Sequence, residues 1–363
     1  HRDLPKVGET IRYDIKIDRF VRQGDTWLFF FRFDGTIAGQ PFITMYDGCA
    51  GFFSAEQLEQ GKGIVAETRK KLPPSNFTPL TPHGTASLNE TQVEALRHGD
   101  LRAAFGMDFP ISTLAPALRL PTGRMHLVDR ILELDTRGGA AGLGLVLGEH
   151  DVTPDRWYLT CHFSDDPVMP GTLMYECCLH TLRVLLLRLG WVDDATDVDL
   201  HYAPMEGRPS QLKCRGQVLQ STKKVQYRLE IDQIGYDPEP FVIATASMFA
   251  DGKHVVQMDG MSVRIRGLTK ERLDAIWGTA STAPIFTREQ VIEYCEGLPS
   301  KCFGPAYVPF DSGERRLARL PRDPFRFIDR VVRCEPKPLV MEPGGWITCE
   351  YDVPPDAWYF GAN

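Results

Sequence analysis

The chain has 363 residues, 43% of them hydrophobic and 25% charged, with a net charge of −7. That length suits two or more units of roughly 100–200 residues, each with apolar material for a core. An acidic balance without a long run of Lys or Arg excludes a partner held by phosphate neutralisation, so no nucleic acid is expected.

The nine cysteines form no CxxC pair and no Cys/His zinc spacing, so no metal site is expected. An odd number without a framework points to a reducing, cytoplasmic setting. No secretory signal opens the chain. It begins at His1 rather than Met, as an excised piece of something longer would. The longest apolar stretch, 171–191, is interrupted by Glu176, His180, Arg183 and Arg188, which argues against a membrane span.

In chain order, the pattern predicts strands over 9–21, 24–35 and 41–47. There Trp27-Leu28-Phe29-Phe30-Phe31 is too apolar to face water on both sides, so a helix or second sheet must cover it. The helix that would do so is not among these residues. Pro73-Pro74, Pro79 and Pro82 mark a linker. Strands follow over 124–136 and 139–149, then one long helix over 171–190 stopped by Gly190. Strands over 210–220, 223–234, 240–250 and 254–266 are rich in Val, Ile, Tyr and Phe. A long apolar helix followed by an antiparallel meander implies a sheet wrapped around that helix, an α+β arrangement.

An internal repeat organises the chain. Leu120-Pro121 returns as Leu320-Pro321, and Val128-Asp129-Arg130-Ile131 as Ile328-Asp329-Arg330-Val331. Pro154-Asp155-Arg156-Trp157-Tyr158 returns as Pro355-Asp356-Ala357-Trp358-Tyr359. Gln92 with Phe105-Gly106 matches Gln290 with Phe303-Gly304, both glutamines on short helical segments, and Pro41-Phe42-Ile43 matches Pro240-Phe241-Val242. All are in register near 200 residues. The chain therefore divides into the C-terminal part of a first unit (1–75), a linker (76–110), a whole unit (111–268), a second linker (269–317) and the N-terminal part of a further unit (318–363).

The whole unit carries Cys161-His162-Phe163-Ser164-Asp165-Asp166-Pro167-Val168-Met169-Pro170-Gly171, with Glu176 fourteen residues after His162. This run resembles the active-site motif of the FabA and FabZ β-hydroxyacyl-carrier-protein dehydratases. The Asp166-to-Gly171 wording is FabA-like, whereas Glu at 176 is the FabZ acid. The continuation to Arg183 resembles the dehydratase region of polyunsaturated fatty acid synthases, which carry such units in tandem. The resemblance implies the hot-dog fold, an antiparallel sheet around a central helix. It also implies a substrate carried on the phosphopantetheine of an acyl carrier protein, with no other cofactor. Gly171 and Thr172 would hold the thioester carbonyl, and Val168 would line the acyl path. The His of one unit would face the acid of a neighbouring unit, in the same polypeptide or in a homodimer.

The chemistry stands without the family. Elimination of water from a 3-hydroxyacyl thioester needs a base for the α-proton and an acid for the departing hydroxyl. An imidazole near neutrality suits the first, and a carboxyl in an apolar site suits the second. The thioester oxygen gains negative charge, which a helix N-terminal amide stabilises. Gly171 is the candidate donor. Double-bond isomerisation is a plausible addition. In the further unit, Asn363 stands where His162 stands, and an amide is no base near neutral pH, so that unit is expected to be non-catalytic.

Blander readings stand beside these. A lone His before an apolar helix is usually a cap or a core residue. Glu176, His180 and Arg183 fall at i, i+4 and i+7 and fit a solvated stripe with weak ion pairs; with the motif, Glu176 is taken as catalytic and the other two as structural. Asp165 and Asp166 read as turn residues, Cys177 and Cys178 as core, and Asp129-Arg130 as a strand ion pair. Gly138 to Gly144 lacks the Lys-Ser/Thr of a phosphate loop and reads as a turn. Two other functions remain open: a hot-dog thioesterase, and a non-catalytic structural or carrier-docking section of a megasynthase.

Overall fold

A computed structural model describes residues 4–24, 26–65, 77, 79–106, 109–279, 284–334, 336–341, 347–354 and 357–361. Asn363 lies outside them. Contacts divide the chain into two compact units, residues 1–81 with 85–273, and residues 82–84 with 274–363.

The first unit opens with an antiparallel meander of β1 (Ile11–Gln23), β2 (Thr26–Ile37) and β3 (Gln40–Phe52). The pairing register places Tyr13, Ile15, Ile17 and Phe20 on the face that carries Trp27, Phe29, Phe31 and Phe33. Ile43, Met45 and Phe52 extend that face on β3. The opposite face carries Arg12, Asp14, Lys16 and Arg32. The apolar face is largely open, with Ile15 66%, Phe20 64% and Phe52 71% exposed. The expected need for a cover is thus visible in the register itself. A short helix, α1 (Ala55–Gln60), follows.

The segment expected as a linker, 76–110, is not one. It contains β4 (Thr85–Leu88), α2 (Glu90–His98) and α3 (Leu101–Phe105). β4 hydrogen-bonds to β5 (Arg130–Asp135), and Val93, Leu96 and Leu101 are fully buried. Gln92 closes a capping box with Asn89 at the start of α2. Gln290 does the same with Thr287 in the second unit, so the repeated Gln marks a repeated helix start.

The main sheet has the order β4-β5-β6-β9-β10-β11-β7, with β8 also on β11. Its further strands are β6 (Leu145–Asp151), β7 (His201–Ala203), β8 (Gln211–Cys214), β9 (Lys224–Gly235), β10 (Phe241–Ala250) and β11 (Lys253–Arg266). All pairings are antiparallel. Between β6 and β7 run α4 (Trp157–Cys161) and α5 (Gly171–Arg188). Val225, Tyr227, Leu229 and Ile231 alternate along β9, and Val242, Ala244, Ala246 and Met248 along β10; all are buried. Against them lie Leu173, Met174, Cys177, Cys178, Leu182 and Leu185 of α5, likewise buried. A helix buried nearly all round must be wrapped by its sheet. This is the hot-dog arrangement. Gly148 on β6 permits the contact, because a Cβ there would meet Thr181 Cγ2 at 2.9 Å. The helix ends where expected: Gly190 takes φ +98°, and Trp191 N–H and Gly190 N–H bond Leu186 and Leu187 carbonyls in a Schellman arrangement.

Three strands are shorter than expected. Residues 124–129 do not pair as a strand until Asp129 anchors to Glu149. The 139–144 loop takes left-handed glycines at 139, 142 and 144. After Arg215, whose N–H still bonds Val255 O, the chain leaves β11 and pairs with the loop before α5, through Val168 opposite Leu219.

The second unit contains α7 (Arg288–Glu296), α8 (Pro299–Phe303), α9 (Val308–Asp311) and the hairpin β12 (Arg330–Cys334) with β13 (Ile347–Glu350); α6 (Lys270–Thr279) precedes them. The stretch expected as linker, 269–317, is therefore largely helical. The hairpin repeats the first unit in detail. Asp129 accepts the Asp151 N–H at 2.7 Å, and Asp329 accepts the Asp352 N–H at 2.8 Å. Arg130 bonds Glu149 and Asp151, and Arg330 bonds Glu350 and Asp352. The structural reading of the Asp-Arg pair holds.

Candidate active site

His162 caps the C-terminal end of α4, and its peptide bond to Phe163 is cis. The loop that follows is closed by three hydrogen bonds. Val168 N–H donates to His162 O at 2.8 Å, Phe163 N–H donates to Asp166 O at 2.8 Å, and His162 Nδ1 lies 2.9 Å from Val168 O. A carbonyl oxygen only accepts, so Nδ1 carries the hydrogen and Nε2 holds the free lone pair. Asp165 and Asp166 form the exposed tip of this loop, as a turn requires. Val168 thus orients the His162 ring through its backbone.

Pro170 is the N-cap of α5 and Gly171 its first residue. Met174 N–H donates to Pro170 O at 3.1 Å, so the amides of Gly171, Thr172 and Leu173 precede the intrahelical ladder. A Cβ at residue 171 would touch only Cys214 Sγ, at 3.8 Å. Residue 171 thus has room for a side-chain methyl at the helix N-terminus, an end where an anion is favoured. Thr172 is exposed beside it.

Glu176 stands on the second turn of α5. Burial raises its carboxyl above the ordinary range, against the lowering pull of Arg183. Its Oε2 lies 3.6 Å from His180 Nε2. His180 is only 2% exposed. Burial, with Arg183 and Arg97, pushes its imidazole down to about 3. The line of Glu176, His180 and Arg183 is thus no solvated stripe. Among the described residues no ion-pair contact joins Glu176 to His162; Glu176 meets His180, and His162 meets Val168.

Sequence reasoning missed Cys214, which faces Gly171 from β8, and Tyr202, whose ring lies 4.4 Å from the Arg183 guanidinium. Neither belongs to a motif, because each arrives from a separate strand. A hollow of about 540 Å³, lined by Glu90, Glu94, His98, His126 and Asp129, lies elsewhere and includes neither His162 nor Glu176. Among the described residues no cluster of His, Cys, Asp and Glu could hold a metal ion, and no helix is long and apolar enough to cross a membrane.

Residues 120–259 match the family described as FabA-like domain, a span that includes His162, Gly171 and Glu176. The chain is also 34% identical over 254 residues to one of the polyunsaturated fatty acid synthase subunits of Thraustochytrium sp.. That likeness takes in 66% of this chain but 17% of the relative's length. Looser likenesses exist among solved structures. A hypothetical thioesterase protein with coenzyme A from Streptococcus pneumoniae aligns with TM-score 0.25 and 11% identity, over 35% of this chain and 81% of that one. The E. coli PaaI protein of the phenylacetic acid degradation operon aligns with TM-score 0.26 and 12% identity, over 38% and 80%. The matched span takes in β5 to the middle of β11, and its N-terminal neighbours β4 and α2 complete the same sheet and core.

Proposed function

We propose that the FabA-like domain dehydrates 3-hydroxyacyl thioesters to trans-2-enoyl thioesters during fatty acid synthesis, the acyl group being carried on the phosphopantetheine of an acyl carrier protein. The observation that carries this is the His162 Nδ1 to Val168 O bond of 2.9 Å, which aims a basic Nε2 away from its own loop.

In this reading His162 Nε2 takes the α-proton. The electron pair moves toward the thioester oxygen, where the Gly171 amide stabilises the charge. As it returns to form the 2,3 double bond, the C3–O bond breaks and the protonated Glu176 carboxyl gives its proton to the departing hydroxyl, releasing water. A carboxyl whose pKa is raised by burial suits that role. As in the dehydratases that the motif resembles, the acid opposite His162 would come from a neighbouring hot-dog unit, in the same polypeptide or in a second copy. The nine free thiols fit a reducing cytoplasm.

The test is complementation. His162→Ala and Glu176→Gln each lose hydration of an enoyl thioester, and mixing the two refolded proteins restores part of it if a second copy supplies the acid. Free thiol release in place of hydration would support a thioesterase instead. A fully active His162→Ala protein would remove His162 as the base, and a parent protein that hydrates no enoyl thioester would leave a non-catalytic docking section.

A further inference from the structure

The repeat supplies an internal comparison. Glu149 and Asp151 bond Arg130 as Glu350 and Asp352 bond Arg330, so His150 holds the place of Tyr351. Trp157 Nε1–H donates to Arg124 O at 2.8 Å, and Trp358 Nε1–H donates to Pro324 O at 3.1 Å. Each indole meets the following tyrosine edge-on, at 80° in both units. Tyr158 therefore holds the place of Tyr359. In the second unit the hydroxyls of Tyr351 and Tyr359 hydrogen-bond each other. In the first unit an imidazole replaces one phenol. It is the shorter side chain, so its ring ends before the position that the Tyr351 hydroxyl takes.

His150 and Tyr158 are both sealed from solvent. His150 Nδ1 lies 3.0 Å from Asp129 Oδ2. His150 Nε2 and the Tyr158 hydroxyl have no hydrogen-bond partner among the described residues. The sheet register adds a third such group. β6 and β9 pair Gly148 with Tyr227, so Tyr227 shares the face of Gly148 and His150 and stands one diagonal step from His150. Tyr227 is fully buried, and its hydroxyl has no nitrogen or oxygen partner either. The Cys177 side chain of α5 lies within electrostatic reach of both tyrosines, and Tyr158 within reach of Tyr227. Native folds rarely leave even one buried polar group unpaired. Three in one neighbourhood, from β6, α4 and β9, share a ligand that can both donate and accept.

We propose that His150 Nε2, Tyr158 Oη and Tyr227 Oη form the site of one internal water, which does in the first unit what the Tyr351 hydroxyl does in the second. Water satisfies Nε2 in either charge state of the ring, because it donates to a bare nitrogen and accepts from a protonated one. Three partners is the usual number for a buried water. The bridge carries the contact of Asp129 with His150 on to Tyr158. It thus ties β5 and β6 to α4, the helix that ends just before His162. The inference does not depend on the reaction proposed for that residue.

Oxygen-17 magnetic relaxation dispersion counts long-lived internal waters, and urea unfolding reads the hydroxyls. His150→Tyr rebuilds the direct bond of the second unit and expels the water, so this protein shows one long-lived water fewer than the parent. Tyr158→Phe removes one of the partners. A hydroxyl bonded to a water contributes to stability, so its loss lowers the folding equilibrium constant by about two- to tenfold. A buried hydroxyl with no partner opposes folding, so its loss would raise that constant. The sign of the change therefore decides. Tyr227→Phe acts in the same direction as Tyr158→Phe. An equal water count in the parent and in folded His150→Tyr overturns the proposal. So does either phenylalanine variant that is as stable as the parent or more so. If His150→Tyr does not fold, the phenylalanine variants decide alone.

Discussion

His162 Nδ1 sits 2.9 Å from the carbonyl oxygen of Val168, and Val168 N–H returns a bond of 2.8 Å to His162 O. One residue thus fixes both the backbone and the ring of the other. The tautomer is therefore set before any substrate arrives. We expect 15N spectra above neutral pH to show Nδ1 protonated and Nε2 bare. The opposite assignment would remove the proposed base.

Gly171 separates stability from activity. Its substitution by Ala introduces a Cβ whose nearest neighbour is Cys214 Sγ at 3.8 Å. The fold has room for it, and the exchange at a helix start is neutral or stabilising by about 0.5 kcal/mol. The added methyl stands next to the amide proposed to hold the thioester oxygen and would crowd its approach. The expected outcome is an unchanged or slightly raised Tm with kcat/KM lowered by at least about tenfold, roughly the loss of one donor contact.

Asp129 links pH to stability. Burial opposes its ionisation, but the His150 ring, the Asp151 amide and His126 outweigh it and hold the carboxyl at about 2, against 3.8 ordinarily. A depressed folded value means stability that is present above the unfolded value and lost as pH falls through the folded one. The contribution is about 2 kcal/mol. Urea unfolding should show Asp129→Asn less stable than the parent by that order at pH 7, with the gap closing as pH falls from about 4 to about 2.

Asp193 is fully buried and held by Arg272, whose Nη2 lies 3.0 Å from Oδ1, while Nε bonds Oδ2. Arg272→Ala strands that carboxylate and should cost about 3 kcal/mol, measurable as a lower denaturation midpoint. The double replacement Asp193→Leu with Arg272→Met should recover part of the loss. A single Arg272→Ala protein with unaltered stability would show that water satisfies Asp193.

The layer arrangement was readable because α5 and β9 to β11 have long, strong periods. The repeat was readable because Asp129 and Asp329 hold the same strand pairs. What escaped reading depends on distant partners. Residues 216–220 continue the expected strand in sequence, but Met169 N–H captures Val218 O and draws them off the sheet. β4 and α2 are too short to stand out from a Pro-rich stretch until Val93 and Leu96 are seen buried. At the site, the His162 loop was legible as a motif. The burial of His180 was not, since the same i, i+4, i+7 spacing describes a wet face and a dry one.

The first hairpin holds a different kind of information. Along β1, Ile17 pairs with Phe31 and Arg19 with Phe30, so Asp18 is an extra residue with no opposite number. It shifts the phase of the strand by one step. Even numbers after it point where odd numbers pointed before, which is why Phe20 joins Ile15 and Ile17 beside Phe29 rather than facing the arginines. Deleting Asp18 would turn the last third of β1 inside out without altering a single apolar residue.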